Sequence, residues 1–212
     1  MTRKVKDPEV RRKELVNIAE KLFIKKGYEE TPVSAIVKKA KVAQGTFYYY
    51  FDSKDDVLDA IVDKLLIEVT KNLEDIVSRN DLDAIPKMVT MSGYFRTLGK
   101  GRGKLFEYLH EERNAHLHLK IEKRIYPVVI PLYTKIIKQG IKEGVFHTKF
   151  PQEAAISVIA ISNALSEGKH DHAGGTEIDS KRIKAIIHMS ERILGARHGT
   201  FNRYISKMEV KK

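Results

Sequence analysis

The chain has 212 residues, 42% of them hydrophobic and 32% charged, with a formal net charge of +11, so it can form an ordinary core and favours a polyanionic partner. No run approaches the ~20 apolar residues that cross a bilayer, and the start MTRKVKDPEV lacks the apolar segment of a signal peptide, so the expectation is a cytoplasmic protein with no membrane partner. Cysteine is absent, which removes disulfides and thiolate metal sites.

The positive charge is uneven. Residues 1–54 hold 13 Lys/Arg against 7 Asp/Glu, whereas residues 55–212 hold 26 against 21 over about three times the length. A lysine-rich surface is the ordinary source of such an excess; its concentration near the N-terminus favours nucleic acid.

Taken in order, the predicted elements are helical throughout. Asp7-Pro8 is a capping residue followed by proline at the first helical position. Leu15, Ile18, Ala19, Leu22 and Phe23 then recur on one helical face, and Gly27 is the expected stop. Thr31-Pro32 repeats the cap-and-proline signal, with Val33, Ile36, Val37 and Ala40 as a short second stripe. Lys41-Val42-Ala43 is long enough only for a turn, and a third short helix covers roughly Gln44 to Tyr50. Ser53-Lys54-Asp55-Asp56 reads as a capping box with Asp in place of Glu, opening a long fourth helix. Further helices are predicted near 82–97, 103–113 and 115–142, the last bent by Pro127 and Pro131, then at 151–167 and 179–195. GKGRGK lacks the spacing of a phosphate-binding loop and reads as a linker.

The third helix carries an unusual run, GTFYYYF, with five consecutive aromatic residues. At 100° per residue Phe47 and Phe51 share one face and Gly45, Thr46 and Tyr49 the opposite one, with Tyr48 and Tyr50 on the flanks. Taken alone, an aromatic run on a short helix is ordinary core. Combined with a preceding short helix, a three-residue turn and a basic first third, it fits a helix-turn-helix reader. Small residues let the backbone approach a groove, Thr46 can meet a base edge, and tyrosine hydroxyls can donate to phosphate.

Residues 10–58 resemble the DNA-binding domain of the TetR family of repressors. The matching stretches are AEKLFIKKGYEET, IVKKAKVAQGTFYYYFDSKDDVL, and within it the G-T-aromatic-Tyr-x-x-Phe core followed by Ser53-Lys54. QGIKEGVF, followed by Pro151 and an Ala/Ile-rich helix, is similar to the family's ligand-domain pattern. The resemblance implies an all-α protein with a helix-turn-helix DNA-binding domain at 1–54 and a larger helical effector-binding and dimerisation domain at 55–212. It places base-facing roles at Gln44, Gly45, Thr46, Tyr48 and Tyr49, and phosphate roles at Thr31, Tyr49 and Lys54. It implies a homodimeric, non-enzymatic repressor with double-stranded operator DNA and a small-molecule effector as partners. Three positions depart from the pattern. Lys41 stands where the turn usually has Gly, Ala43 replaces a Ser or Thr cap worth about 1 kcal/mol, and Tyr50 replaces a frequent His.

In the second region AAISVIAISNAL is apolar around most of its circumference, and Ile183, Ile186, Ile187, Ile193 and Leu194 supply a partner stripe. The pair suits a four-helix dimer interface or an intrachain core, and the dimer is favoured because reading palindromic DNA needs two copies. Met88, Met91, Tyr94, Phe95, Phe106, His110 and Tyr126 are candidates to line an effector cavity, and each is equally at home in plain core. His110, His116, His118 and the His170-Asp171-His172 loop lack ligand spacing on a helix or an obvious third ligand, so no metal and no other cofactor is expected. No nucleophile elbow, dinucleotide fingerprint or acid pair is present. A metal-dependent enzyme and a sequence-independent nucleic-acid coat protein are the competing classes.

Overall fold

The computed structural model describes residues 7–111, 114–166 and 180–202. Among these residues all regular structure is helical: α1 (Pro8–Lys26), α2 (Val33–Ala40), α3 (Gln44–Tyr50), α4 (Lys54–Ser78), α5 (Ala84–Thr97), α6 (Gly103–His110), α7 (Ala115–Lys142), α8 (Pro151–Ser166) and α9 (Ser180–Leu194). The contacts divide the chain into two compact units, Met1–Glu68 with Gly101–Ile121, and Val69–Lys100 with Glu122–Lys212.

Local chemistry accounts for the boundaries. The Asp7 carboxylate accepts the Glu9 amide at 2.8 Å, and Pro8 begins α1. The Gly27 amide closes the same helix on the Phe23 carbonyl at 2.9 Å. At α4 the capping box forms reciprocally. The Asp56 amide donates to Ser53 Oγ at 3.1 Å, and the Ser53 amide donates to Asp56 Oδ2 at 3.0 Å. α7 continues as one helical span through Pro127 and Pro131.

The first unit has one core. Leu15, Ala19 and Phe23 of α1 meet Ile36, Val37 and Ala40 of α2 and Phe47 of α3, with Phe51 closing the set. Val57, Leu58 and Ile61 of α4 and Leu105 and Leu109 of α6 belong to the same cluster. These apolar side chains group the first part of α4 and all of α6 with the three N-terminal helices, beyond the Lys54 boundary expected from the sequence. Ion pairs line the outside of this unit: Lys64 with Glu20 at 2.6 Å, Lys120 with Asp59 at 2.5 Å and Arg102 with Glu68 at 2.9 Å. Partly exposed pairs of this kind stabilise by only about 0–1 kcal/mol each, so the apolar core supplies the main stabilisation.

In the second unit a polar knot joins α4, α5 and α7. Lys87 is buried, and its ammonium donates to the Val77 carbonyl and to Gln139 Oε1, both at 2.8 Å. Gln139 in turn donates to the Leu82 carbonyl at 3.0 Å and to Glu143 Oε1 at 2.6 Å. Asp83 makes no side-chain cap to α5; the Glu143 carboxylate takes the Ala84 amide at 3.0 Å instead. A buried cation is tolerated because its donors meet oxygen acceptors. Beyond α7, Phe146 folds back onto Gly140, where a Cβ would come within 2.2 Å of the ring.

Candidate nucleic-acid interface

The turn between α2 and α3 sets the reader's direction. α2 ends at Lys41, whose backbone is left-handed at φ 55 and ψ 45. The Lys41 amide returns to the Lys38 carbonyl at 3.3 Å and the Val42 amide to the Val37 carbonyl at 3.1 Å. A non-glycine residue in this conformation costs roughly 1–2 kcal/mol; the hydrogen bonds and the burial of the flanking helices hold it there. α3 then starts after Ala43 with no side-chain cap.

On α3 the aromatic run divides by face. Phe47 is 0% exposed and Phe51 is 3% exposed, with ring centroids 5.7 Å apart and the Arg12 guanidinium over Phe51 at 4.9 Å. Tyr50 packs partly against the core and meets Tyr49 edge to face at 4.8 Å. Tyr48 is 50% exposed and Tyr49 is 75% exposed. Gln44 and Gly45 are exposed and Thr46 is half-buried. At Gly45 nothing lies within 4 Å of the position a Cβ would take, so the backbone there is open to close approach. Lys38, Lys39 and Lys41 of the KKAK stretch are also exposed, a set of cations around the turn in addition to the residues named from the sequence.

Two phosphate candidates look different in the structure. Thr31 was expected to cap α2 and face phosphate; it is instead fully buried, and its hydroxyl donates to the Gly27 carbonyl at 2.7 Å. α2 begins at Val33 after Pro32, with no side-chain cap. The carbonyl at the end of α1 takes the hydroxyl, which turns the Thr31 side chain inward. Lys54 is half-buried at the start of α4, its ammonium donating to the Tyr28 carbonyl at 2.8 Å and lying 4.0 Å from the Tyr28 ring centroid. An ammonium has three donors, so this tether orients Lys54 without exhausting it.

Tyr28 organises that corner. Its hydroxyl donates to the Asp55 carboxylate and its ring stacks on Tyr108. Burial first, then the bond to Asp55, hold its phenol far above the ordinary tyrosine range, so it remains a donor.

The effector candidates fall in different places. Met88 and Met91 are buried in the second unit, where Tyr94, Phe95 and Tyr126 are half-buried. The Tyr94 hydroxyl accepts from Asn72 at 3.4 Å, and the Tyr126 hydroxyl donates to Glu122 at 2.6 Å and accepts from Asn163 at 3.0 Å. Phe106 and His110 sit on α6 in the first unit, and their side chains lie outside the described residues, as does that of His116. His118 is half-buried on α7, and the His170-Asp171-His172 loop lies outside the described residues.

A basic helix-turn-helix with a buried anchoring face and an open polar-aromatic face defines a DNA-binding regulator. The family model of bacterial regulatory proteins of the tetR family matches residues 15–61, and that of the tetracycline repressor-like C-terminal domain matches residues 103–170. An uncharacterised helix-turn-helix transcriptional regulator of Bacillus subtilis, YfiR, is 25% identical over 203 residues, covering 86% of this chain and 94% of its own length. The transcriptional repressor KstR2 of Rhodococcus jostii is 27% identical over 186 residues, covering 84% of this chain and 89% of its own. A crystal structure of a TetR/AcrR-family regulator from Thermobifida fusca shares the fold with a TM-score of 0.56 and 21% identity, covering 87% of this chain and 97% of that one. The chain belongs to the TetR family of transcriptional regulators. Among the described residues no helix is long and apolar enough to cross a membrane.

Proposed function

We propose that the protein is a homodimeric repressor that binds a palindromic operator and is released from it by a small-molecule effector. The observation that carries this reading is the division of α3 and its C-cap into a buried side, Phe47 and Phe51, and an open side of Gln44, Gly45, Tyr48 and Tyr49. Gln44, Gly45, Thr46 and Tyr48 face base edges in the major groove. Tyr49 and Lys54 contact phosphate, joined by the exposed Lys38, Lys39 and Lys41.

A single α3 spans too few base pairs for a unique site, and two copies related by a two-fold axis read two half-sites. Support for self-association comes from α8 and α9, which pack together while Ile156 and Met189 remain 44% exposed. Covering those side chains with a second copy removes apolar surface from water. The thioether and aromatic side chains of Met88, Met91, Tyr94, Phe95 and Tyr126 suit a flat apolar effector in the second unit. α4 contributes residues to both units and is the element through which such a ligand would act on the reader.

Selection from a pool of random duplex oligonucleotides tests the reading. The expected product is a two-fold-related motif with half-sites about one helical turn or somewhat more apart, bound at least ~10³ more tightly than random duplex. Recovery of sequences with no two-fold relation, or equal binding of random DNA, contradicts it and favours a coat protein.

A further inference from the structure

We propose that His188, Glu191 and His198 form a binding site for a divalent transition-metal ion of the zinc, cobalt or nickel kind. Each residue offers one ligand atom, and these atoms all lie within 4.8 Å of one another. Unlike the close pairs His116/His118 and His170/His172, this set is spread over eleven residues as H-x-x-E-x-x-x-x-x-x-H and is assembled by a chain reversal.

The assembly follows from local structure. His188 and Glu191 stand three residues apart on α9 and so share a face. The helix ends at Leu194, the chain turns at Gly195, and the His147 amide accepts the new direction by donating to the Leu194 carbonyl at 2.8 Å. The returning segment is then pinned by Glu191. The Gly199 amide donates to its Oε2 at 3.0 Å and the Phe201 amide to its Oε1 at 3.2 Å, while Phe201 is buried against Phe146. This reversal brings His198 Nδ1 to 3.3 Å from Glu191 Oε2 and places its ring edge to face with His188, centroids 5.8 Å apart.

The geometry fits a small cation. Donors ~2.1 Å from a tetrahedral ion sit about 3.4 Å from one another, which the Glu191–His198 pair already matches. Wider separations need to close by no more than about 1.4 Å, within reach of side-chain rotation because both histidines are exposed. The Glu191 side chain is only 3% exposed, and its two backbone donors fix the carboxylate as outer-sphere bonds fix a metal ligand. His198 is 83% exposed, so an ion has a path in. Two imidazoles and one carboxylate suit zinc, cobalt or nickel better than magnesium or calcium, which prefer all-oxygen sets. Three protein ligands leave a position for water. A bound ion would tie the 195–202 return to α9, whatever the protein does with DNA.

The test uses the tag-free full-length protein stripped with chelator and titrated with Co²⁺, followed by visible absorption and by competition with Zn²⁺. The expected result is one ion per chain with a tetrahedral or five-coordinate cobalt spectrum, and affinity at least tenfold weaker in His188→Ala and in His198→Ala. Both variants remove exposed side chains, and far-ultraviolet circular dichroism confirms that they fold. The double variant His170→Ala/His172→Ala is expected to bind as the parent does. Absence of saturable one-to-one binding, retention of parental affinity in the His188 and His198 variants, or loss of binding in the His170/His172 variant instead each overturns the proposal.

Discussion

Tyr108 of α6 stacks on Tyr28 between α1 and α2, with ring centroids 4.7 Å apart and planes inclined by 30°. Tyr28 also meets Phe23 edge to face at 5.1 Å, donates its hydroxyl to Asp55 at the head of α4, and gives its carbonyl to Lys54. One side chain therefore joins α1, α4 and α6. Tyr28→Phe preserves the stack and removes the donor to a carboxylate, an expected loss of about 1.5–3 kcal/mol. Tyr108→Leu removes the ring pair, an expected loss of about 1 kcal/mol. Urea denaturation measures both. Because the folded-state phenol of Tyr28 is raised, its contribution is complete below the ordinary tyrosine range. It is lost as pH climbs above about 10, where the unfolded chain ionises first. The parent should destabilise over that alkaline window more steeply than Tyr28→Phe.

The helix-turn-helix carries two local imperfections that can be repaired. Lys41 holds φ 55 without being glycine, and Ala43 leaves α3 without a side-chain cap. Lys41→Gly is expected to stabilise by about 1 kcal/mol, and Ala43→Ser by about 0.5–1 kcal/mol. The two positions are neighbours and their effects need not add. Denaturant midpoints of the single and double variants check this.

Gly140 accommodates the Phe146 ring, which would stand 2.2 Å from an added Cβ. Phe146 is itself buried and stacked on Phe201, so it has little room to yield. Gly140→Ala is expected to cost about 1–3 kcal/mol by overpacking, read as a lowered thermal midpoint.

Effector release requires reciprocity. If a ligand binds the DNA-free form a hundredfold more tightly than the operator-bound form, operator DNA lowers ligand affinity by the same factor, equivalent to about 2.7 kcal/mol. Titrating a cognate ligand with and without operator measures it, and equal affinities would exclude ligand-driven release.

Much of this arrangement was legible in the sequence because it depends on short-range chemistry. The Asp7 cap, the reciprocal Ser53–Asp56 box and the split of Phe47 from Tyr49 follow from spacings of a few residues. The inward turn of Thr31 was not legible, since the same residue that can cap α2 can also donate back to the carbonyl four residues earlier. Membership of α6 in the first unit rests on Leu105 and Leu109 entering the core and Tyr108 meeting Tyr28, contacts that cross some eighty positions of sequence. The Glu191 hook and the histidines it gathers depend on a chain reversal that no periodicity announces.

The most direct test of the reader assignment compares Phe47→Ala with Tyr49→Phe, measuring stability by denaturation and affinity for the selected operator and for random duplex. Phe47 is fully buried, and its truncation is expected to cost roughly 3–5 kcal/mol. Tyr49→Phe removes one exposed hydroxyl, and its stability should stay within ~0.5 kcal/mol of the parent. Its operator affinity should fall about tenfold or more if that hydroxyl donates to a phosphate. Unchanged operator affinity in Tyr49→Phe, or a larger loss of stability there than in Phe47→Ala, would contradict the assignment of the two faces of α3.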